Sequence, residues 1–599
     1  MSADSTTLLA GMGAIPHAQG TTFRVWAPYA DRVYVVGDFN DWSADQNPLQ
    51  HDGDGYWSAD IAMAQPGQKY KYRICNAELD LWRIDPYARE VTNSVGEGVI
   101  HDPEFAWEDA NFQMPPWNEM AIYEMHIGTF HQPEGMARGS FDSAIEKLPH
   151  LNELGFNTII VMPPMEFAGD TSWGYNPAHP YAIESSYGGP MALKRFVQAA
   201  HAHGIAVILD VVYNHFGPSD LDLWQFDGWS ENGMGGIYFY NDWRANTPWG
   251  DTRPDYGRHE VRQYLVDNAL MWLEDYHLDG LRFDATAYIR TVKGSENPDE
   301  ALSEGWDVLR WINEEIDKRQ PWKLTIAEDL RNNPVLTMPT SAGGAGFDAQ
   351  WDAGFVHPLR DALIGPDDAG RNIGAVAEAL NNHYGKNAFA RVIYTESHDE
   401  VANGKARVPQ EIAPHDTAGY SAKKRSTVGA ALVFSAPGIP MLFQGQEFLA
   451  DGWFVDTQPL DWARSEQFGG IRQLYRDLLT LRRNATGVSR GLCGHSMQLY
   501  HVDLEAKVIA FHRWDVGGTN DSVVVVVNLT SQPLQAYQIG MPAEGPWQTI
   551  FNSDSQLYDP SFGNTDCPNV VAINEPLHGL PCRTAVHVGP YSVIMFSQQ

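Results

Sequence analysis

The chain has 599 residues, 76 acidic against 41 basic side chains, a net charge of −35 and 43% apolar content. At one to two hundred residues per domain that is about three domains, with enough apolar sequence for large cores, so general disorder is excluded. So large an acidic excess, with no local basic patch, is repelled by phosphate backbones and anionic lipid, which excludes nucleic acid and membrane surfaces and leaves neutral or cationic partners.

In chain order, the opening MSADSTTLLAGMGAIPHAQG has neither the basic start nor the apolar run of a signal peptide. The longest apolar stretches, such as Val523 to Val527, are far short of a membrane span, so a cytoplasmic chain is expected. Cys75, Cys493, Cys567 and Cys582 are scattered. Cys567 and Cys582 are close enough in sequence to bridge, but buried thiols in a reducing compartment are the expectation.

From Thr21 to about Ile100 the pattern alternates in TFRVWAP, RVYVVGDFNDW, GYWSADI and QKYKYRI, bounded by turn residues, which predicts an N-terminal antiparallel β-sandwich over residues 1–112. Pro115 and Pro116 extend neither sheet nor helix and mark its end. Residues 113–485 then alternate short apolar strands with amphipathic segments. The strands are AIYEMHI, NTIIVMPP, AVILDVVYNH, DGLRFDA, KLTIAED, RVIYTESHDE and PMLFQGQEF, and the helices include SFDSAIEKLPHLNELG and GRHEVRQYLVDNALMWLEDYH. Apolar strands covered on both faces predict an α/β fold, a parallel (β/α)8 TIM barrel. Residues 486–599 return to β patterning and predict a C-terminal antiparallel β-sandwich.

Four barrel strands end in acids: DVVYNH (Asp210, Asn214, His215), DGLRFDA (Arg282, Asp284), TIAEDLRN (Glu328) and ESHDE (His398, Asp399). An α/β barrel places its active site at those strand ends. Cleaving a glycosidic bond takes two carboxyl groups flanking the bond, with polar side chains to hold ring hydroxyls. Arg282 lies two residues before Asp284, so both share a face and the guanidinium can orient the carboxylate. A single such acid reads first as a surface carboxylate or helix cap; four in order do not. The 12% aromatic content, with 20 Trp, suits sugar ligands but also serves ordinary cores.

These motifs, spread from about Ala121 to Arg483, resemble those of the α-amylase superfamily, glycoside hydrolase family 13, and FRVWAP…VGDFNDW resembles the carbohydrate-binding module preceding the barrel in some members. The resemblance implies that Asp284 is the nucleophile, Glu328 the general acid/base and Asp399 the transition-state stabiliser. It also implies that Asp210, His215, Arg282 and His398 shape the subsite of the cleaved sugar and that Tyr175 of SWGYNP stacks on it. Two displacements at one carbon then retain the α configuration, with carboxyl groups roughly 5–5.5 Å apart. Tyr288 of DATAY departs from the Lys-His or Val-His of many relatives, on the acceptor side.

Within the family, ESHDEVANGK, YEMHIGTF and GQEFLADGWF…PLDW are similar to 1,4-α-glucan branching enzymes. FAGDTSWGYNPAHPYAIESSYGGP, VVYNHFGPS, TPWG and AEDLRN are similar to maltooligosyltrehalose trehalohydrolases. The first string is the more discriminating because of Glu400, so branching is expected; the alternatives are a trehalohydrolase or another α-glucan hydrolase. A non-catalytic glucan-binding protein is disfavoured because all three acids are present. Trp173 and Trp453, flanking motif residues, are expected substrate walls with Glu400 beside them. Trp26 is expected in the core and Trp42 is the better sugar candidate of the sandwich, with Trp57 open between the two roles. No cofactor or metal is called for. Asp220, Asp222 and Asp227 lack a calcium loop's ligand spacing and are expected to be solvated. The expected partner is an α-1,4-glucan, bound by a monomer.

Overall fold

A computed structural model describes residues 9–384, 387–518 and 521–598. The opening segment read for targeting signals therefore lies partly, at Met1–Leu8, outside the described residues. Eight parallel strands close into a barrel: β1 (Ile122–Met125), β2 (Thr158–Val161), β3 (Ala206–Val211), β4 (Gly280–Phe283), β5 (Leu324–Ala327), β6 (Ala349–Trp351), β7 (Arg391–Ile393) and β8 (Ile439–Phe443), with β8 pairing back to β1.

The strand period of two explains how this barrel carries chemistry. Ile122, Ile160, Ile208, Ile326, Val392 and Met441 belong to one buried cluster. Two residues further on, the same lines reach Glu124, Asp210 and Glu328, while on β4 the line runs Gly280, Arg282, Asp284. Register adds the lateral order, since Asp210 pairs with Arg282 across β3 and β4, and Phe283 with Ala327 across β4 and β5. The apolar half of each line packs the barrel, and the polar half is left at its carboxyl mouth.

Strand β6 is absent from the seven expected strands. Only three residues long and set between Asp348 and Asp352, it offers no apolar run to recognise. The expected helix SFDSAIEKLPHLNELG is two helices, Phe141–Ile145 and Leu148–Leu154, the second opening with Pro149 in its first turn, where a missing N–H costs nothing. The other expected helix runs over His259–Glu274.

The N-terminal strands form two sheets. One holds Gly13–His17, Gly20–Trp26, Tyr56–Ile61 and Gln50–Gly53, and the other is built on Arg32–Gly37, Lys69–Asn76 and Leu79–Arg83. Phe23, Val25, Val33, Val35, Tyr70 and Tyr72 are buried in their core. Trp26 is buried as expected and meets Tyr238 of a barrel loop edge-on at 5.6 Å. Trp57 donates to Ala27 O at 3.0 Å.

The loop after β3 corrects the sequence reading. Asp220 is exposed as expected, but Asp222 is half-buried and Asp227 buried, and all three reach the N-terminal sandwich. Asp227 is fully buried and accepts from Tyr29 N at 2.9 Å and Trp229 N at 3.1 Å. Asp222 accepts from Ile84 N at 2.6 Å and Asp220 from Ser94 Oγ at 2.9 Å. The amides of Tyr29 and Ile84 and the hydroxyl of Ser94, which spacing within the loop does not reveal, bring the N-terminal module to these carboxylates.

The C-terminal strands form a six-stranded sheet and a two-stranded one. They are tied to the barrel helix Tyr420–Ser435 by a fully buried pair, Lys424 Nζ to Asp554 Oδ1 at 2.7 Å, with Ser592 Oγ also 2.7 Å from the ammonium. All four cysteines are unpaired. Among the described residues no helix is long and apolar enough to cross a membrane.

Candidate active site

Arg282 organises the mouth of the barrel. It is fully buried, and its Nη1 reaches both oxygens of Asp210, at 2.8 and 2.7 Å, and Asp284 Oδ1 at 3.0 Å. Its Nη2 faces Glu328 Oε2 at 3.6 Å. The guanidinium lies over the Trp351 ring, 4.3 Å from its centroid, so the strand missed in the sequence supplies the floor of the site.

Asp284 is held from a second direction by Asn214, whose Nδ2 donates to Oδ2 at 2.7 Å and to the Asp284 carbonyl at 2.9 Å. Glu328 Oε2 accepts from Ala285 N at 2.6 Å, an amide presented by a left-handed backbone at Ala285 (φ 41°). Burial raises the Glu328 carboxyl well above the ordinary glutamate range; Arg282 works against this, and the neighbouring Asp284 and Asp399 reinforce it. A carboxyl kept protonated beside a second carboxylate is the pairing that acid–nucleophile chemistry needs. Burial likewise raises Asp210, with Arg282 opposing.

Asp399 is the most open of the three acids, its side chain 43% exposed, and lies 3.4 Å from His398 Nε2. His398 is buried, and its Nδ1 is 2.5 Å from Glu124 Oε1. Burial opposes charge on this imidazole, but Asp399 and Glu124 outweigh it and raise it to about 9. Tyr175 stacks on His398 with centroids 4.9 Å apart and donates its hydroxyl to Asp210 at 2.6 Å. Trp173 meets His398 edge-on at 5.8 Å and Phe454 at 5.2 Å. Asp284, Glu328, Asp399, Tyr175, Trp173, Asp210, Arg282 and His398 thus form one connected cluster.

His215, Glu400 and Trp453 sit differently. His215 is buried, its Nε2 2.9 Å from Tyr175 O and Nδ1 against Asn214, so it braces the walls of the site; burial lowers it to about 4. Glu400 is held by His357 Nε2 at 3.0 Å and Lys405 Nζ at 2.8 Å. Burial raises its carboxyl, but the hydrogen bonds from His357 and Lys405 outweigh burial and hold it well below the usual range. Glu400 is thereby fixed between His357 of the helix Ala353–Ile364 and Lys405 of its own loop. Trp453, 65% exposed, lines a groove of about 490 Å³ with Asn403, Lys405 and Gln410. Asn403 Nδ2 reaches Asp399 Oδ1 at 3.4 Å, so this groove adjoins the open side of Asp399.

Three residues of the cluster escaped the sequence reading. Glu124 is a carboxylate inside the fully buried strand IYEM, and an acid amid such apolar neighbours was the available signal. Trp351 was hidden with β6. Trp249 of TPWG, 42% exposed, stacks on His215 with centroids 4.6 Å apart and meets Tyr288 edge-on at 5.1 Å. Among the described residues, no group of three or more His, Cys, Asp or Glu side chains is arranged to hold a metal ion.

Comparison with known proteins agrees with this geometry. The carbohydrate-binding module 48 (isoamylase N-terminal domain) family matches residues 11–88, the α-amylase catalytic domain residues 122–225 and the α-amylase C-terminal all-β domain residues 500–599. The 1,4-alpha-glucan branching enzyme GlgB of Marinobacter nauticus is 32% identical over 613 aligned residues, covering 96% of this chain and 94% of its own. This chain belongs to the α-amylase family. The GlgB branching enzyme of Dechloromonas aromatica is 31% identical, covering 98% of this chain and 97% of its own. Among solved structures, a pullulanase from Anoxybacillus complexed with maltotetraose shares the fold at a TM-score of 0.75 and 22% identity, covering 98% of this chain and 87% of that one. As an α-amylase-family enzyme the chain has the expected (β/α)8 barrel between two β modules.

Proposed function

We propose that this enzyme is a 1,4-α-glucan branching enzyme, built as units 1–112, 113–485 and 486–599. The observation that carries the reading is near-full-length similarity, in both directions, to branching enzymes of two bacteria, in a chain that keeps Asp284, Glu328 and Asp399 at one barrel mouth.

In this reading an Asp284 oxygen, oriented by Arg282 and Asn214, attacks the anomeric carbon of an α-1,4 linkage. Glu328, kept protonated by burial, gives its proton to the departing glycosidic oxygen, and the chain beyond the cut leaves. The glucan segment is now an ester of Asp284 with inverted configuration. A 6-hydroxyl of another glucan then loses its proton to the Glu328 carboxylate and attacks the same carbon, displacing Asp284 and restoring the α configuration. Asp399, paired with the charged His398, grips ring hydroxyls as positive charge develops on the sugar. Tyr175 and Trp173 wall one side of the bonded sugar and Trp249 supplies a further aromatic face, while Arg282 keeps Asp284 and Asp210 in place. The chemistry uses carboxyl groups throughout.

Proton NMR of amylose treated with the enzyme, with a reducing-end assay on the same sample, tests this reading. Branching gives new α-1,6 anomeric signals with few new reducing ends. Reducing ends without α-1,6 signals overturn it in favour of hydrolysis, with maltooligosyltrehalose as the next substrate.

A further inference from the structure

A cavity of about 620 Å³ opens at the other end of the barrel. It is built by the returns that feed three strands: Asp279 immediately precedes β4, Lys323 immediately precedes β5, and His201 lies in the last turn of the helix Gly189–Ala202 leading to β3. The segment Asp109–Met114, between the N-terminal sandwich and the barrel, closes one side. The four residues of extended β4 lie between Asp279 and Asp284, five steps or about 16 Å at roughly 3.3 Å per residue, so the cavity is remote from the acids.

Its walls are fixed. His201 bridges Asp109 Oδ2 at 2.9 Å and Asp279 Oδ2 at 2.8 Å and stacks on Phe112 at 3.9 Å, while Lys323 Nζ holds the other Asp279 oxygen at 3.2 Å. Against these satisfied groups three side chains at the cavity are free. Trp322 is 58% exposed, with no ring partner and no hydrogen bond from its indole N–H, and the Gln113 and Gln320 amides have no protein partner among the described residues.

An open indole face beside two unengaged amides, on a frame whose acids are each already held by a protein partner, matches a neutral ligand with a CH-rich face and a hydroxyl-rich edge. We infer that this cavity is a second, non-catalytic binding site for an α-glucan chain, with Trp322 as its stacking platform and Gln113 and Gln320 as hydroxyl partners. The inference rests on the proposed glucan substrate. A chain anchored here is kept near the barrel mouth, raising the effective concentration of its other segments at Asp284 and Glu328 without a new catalytic contact.

The test is affinity electrophoresis of the full-length protein in gels containing amylopectin, comparing the parent with Trp322→Ala and, independently, Gln320→Ala. Kinetics on amylose and on maltohexaose accompany it. Trp322→Ala is expected to weaken retention about 3- to 10-fold and to raise the apparent KM on amylose similarly, leaving kcat and maltohexaose turnover unchanged. Gln320→Ala is expected to act in the same direction and less. Parent-like retention by both variants overturns the second site. The branching reading is separable, because loss of Trp322-dependent retention leaves the α-1,6 product intact, and absence of that product leaves the retention intact.

Discussion

Two of the wholly buried cations, Lys424 and Arg282, face opposite surroundings. At the seam with the C-terminal sheet, Lys424 meets one carboxylate, Asp554, with Ser592 completing its shell. At the barrel mouth Arg282 meets Asp210, Asp284 and Glu328 together. The first arrangement balances its charge and joins two domains. The second holds more potential negative charge than positive, and that excess relaxes by keeping a proton on Glu328. A balanced pair fastens, whereas an unbalanced cluster is ready for proton transfer.

Breaking the mouth should show first in rate. Glu328→Gln, isosteric but unable to cycle a proton, is expected to lower kcat about 10²- to 10⁴-fold in amylose assays, with an unchanged melting temperature. The pH profile sharpens the same point: the first step needs protonated Glu328, so activity should fall tenfold per unit on the alkaline side, with a midpoint well above the ordinary glutamate value. A flat profile across alkaline pH contradicts the assignment.

Breaking the seam should show in stability instead. Lys424→Met leaves Asp554 buried and unpaired, and urea titration is expected to report a loss of about 3–5 kcal/mol with kcat unchanged where the protein is folded. Asp227→Ala, which strips the acceptor from the amides of Tyr29 and Trp229, is expected to cost about 1–3 kcal/mol and to speed limited proteolysis between the N-terminal sandwich and the barrel. The smallest effect is expected for Trp42→Ala. Its indole already donates to Asp38 at 2.9 Å, so glucan retention should change less than for Trp322→Ala under the same conditions.

The sequence was most readable where period and position coincide. Seven barrel strands announce themselves as apolar runs, and Asp210, Asp284, Glu328 and Asp399 follow such runs, so the α/β barrel and its cluster of acids were legible without coordinates. What escaped depends on contacts between distant segments. β6 is too short to have a period, which concealed Trp351 beneath Arg282. Glu400 reads as part of a reactive string, but its carboxylate is claimed by His357 and Lys405, one from a helix and one from its own loop. Asp222 and Asp227 look like surface charge until the amides of Ile84 and Tyr29 in the preceding module are brought to them.

That loop leaves β3 after Val211 and, within its first four residues, carries Asn214, which holds Asp284, and His215, which braces Tyr175. The N-terminal sandwich therefore acts as a distant mooring for the nucleophile. A shortened chain beginning at the barrel would keep every acid while leaving the rope between Asn214 and Asp227 slack, and its deficit would surface as imprecise chemistry before it surfaced as weak sugar binding.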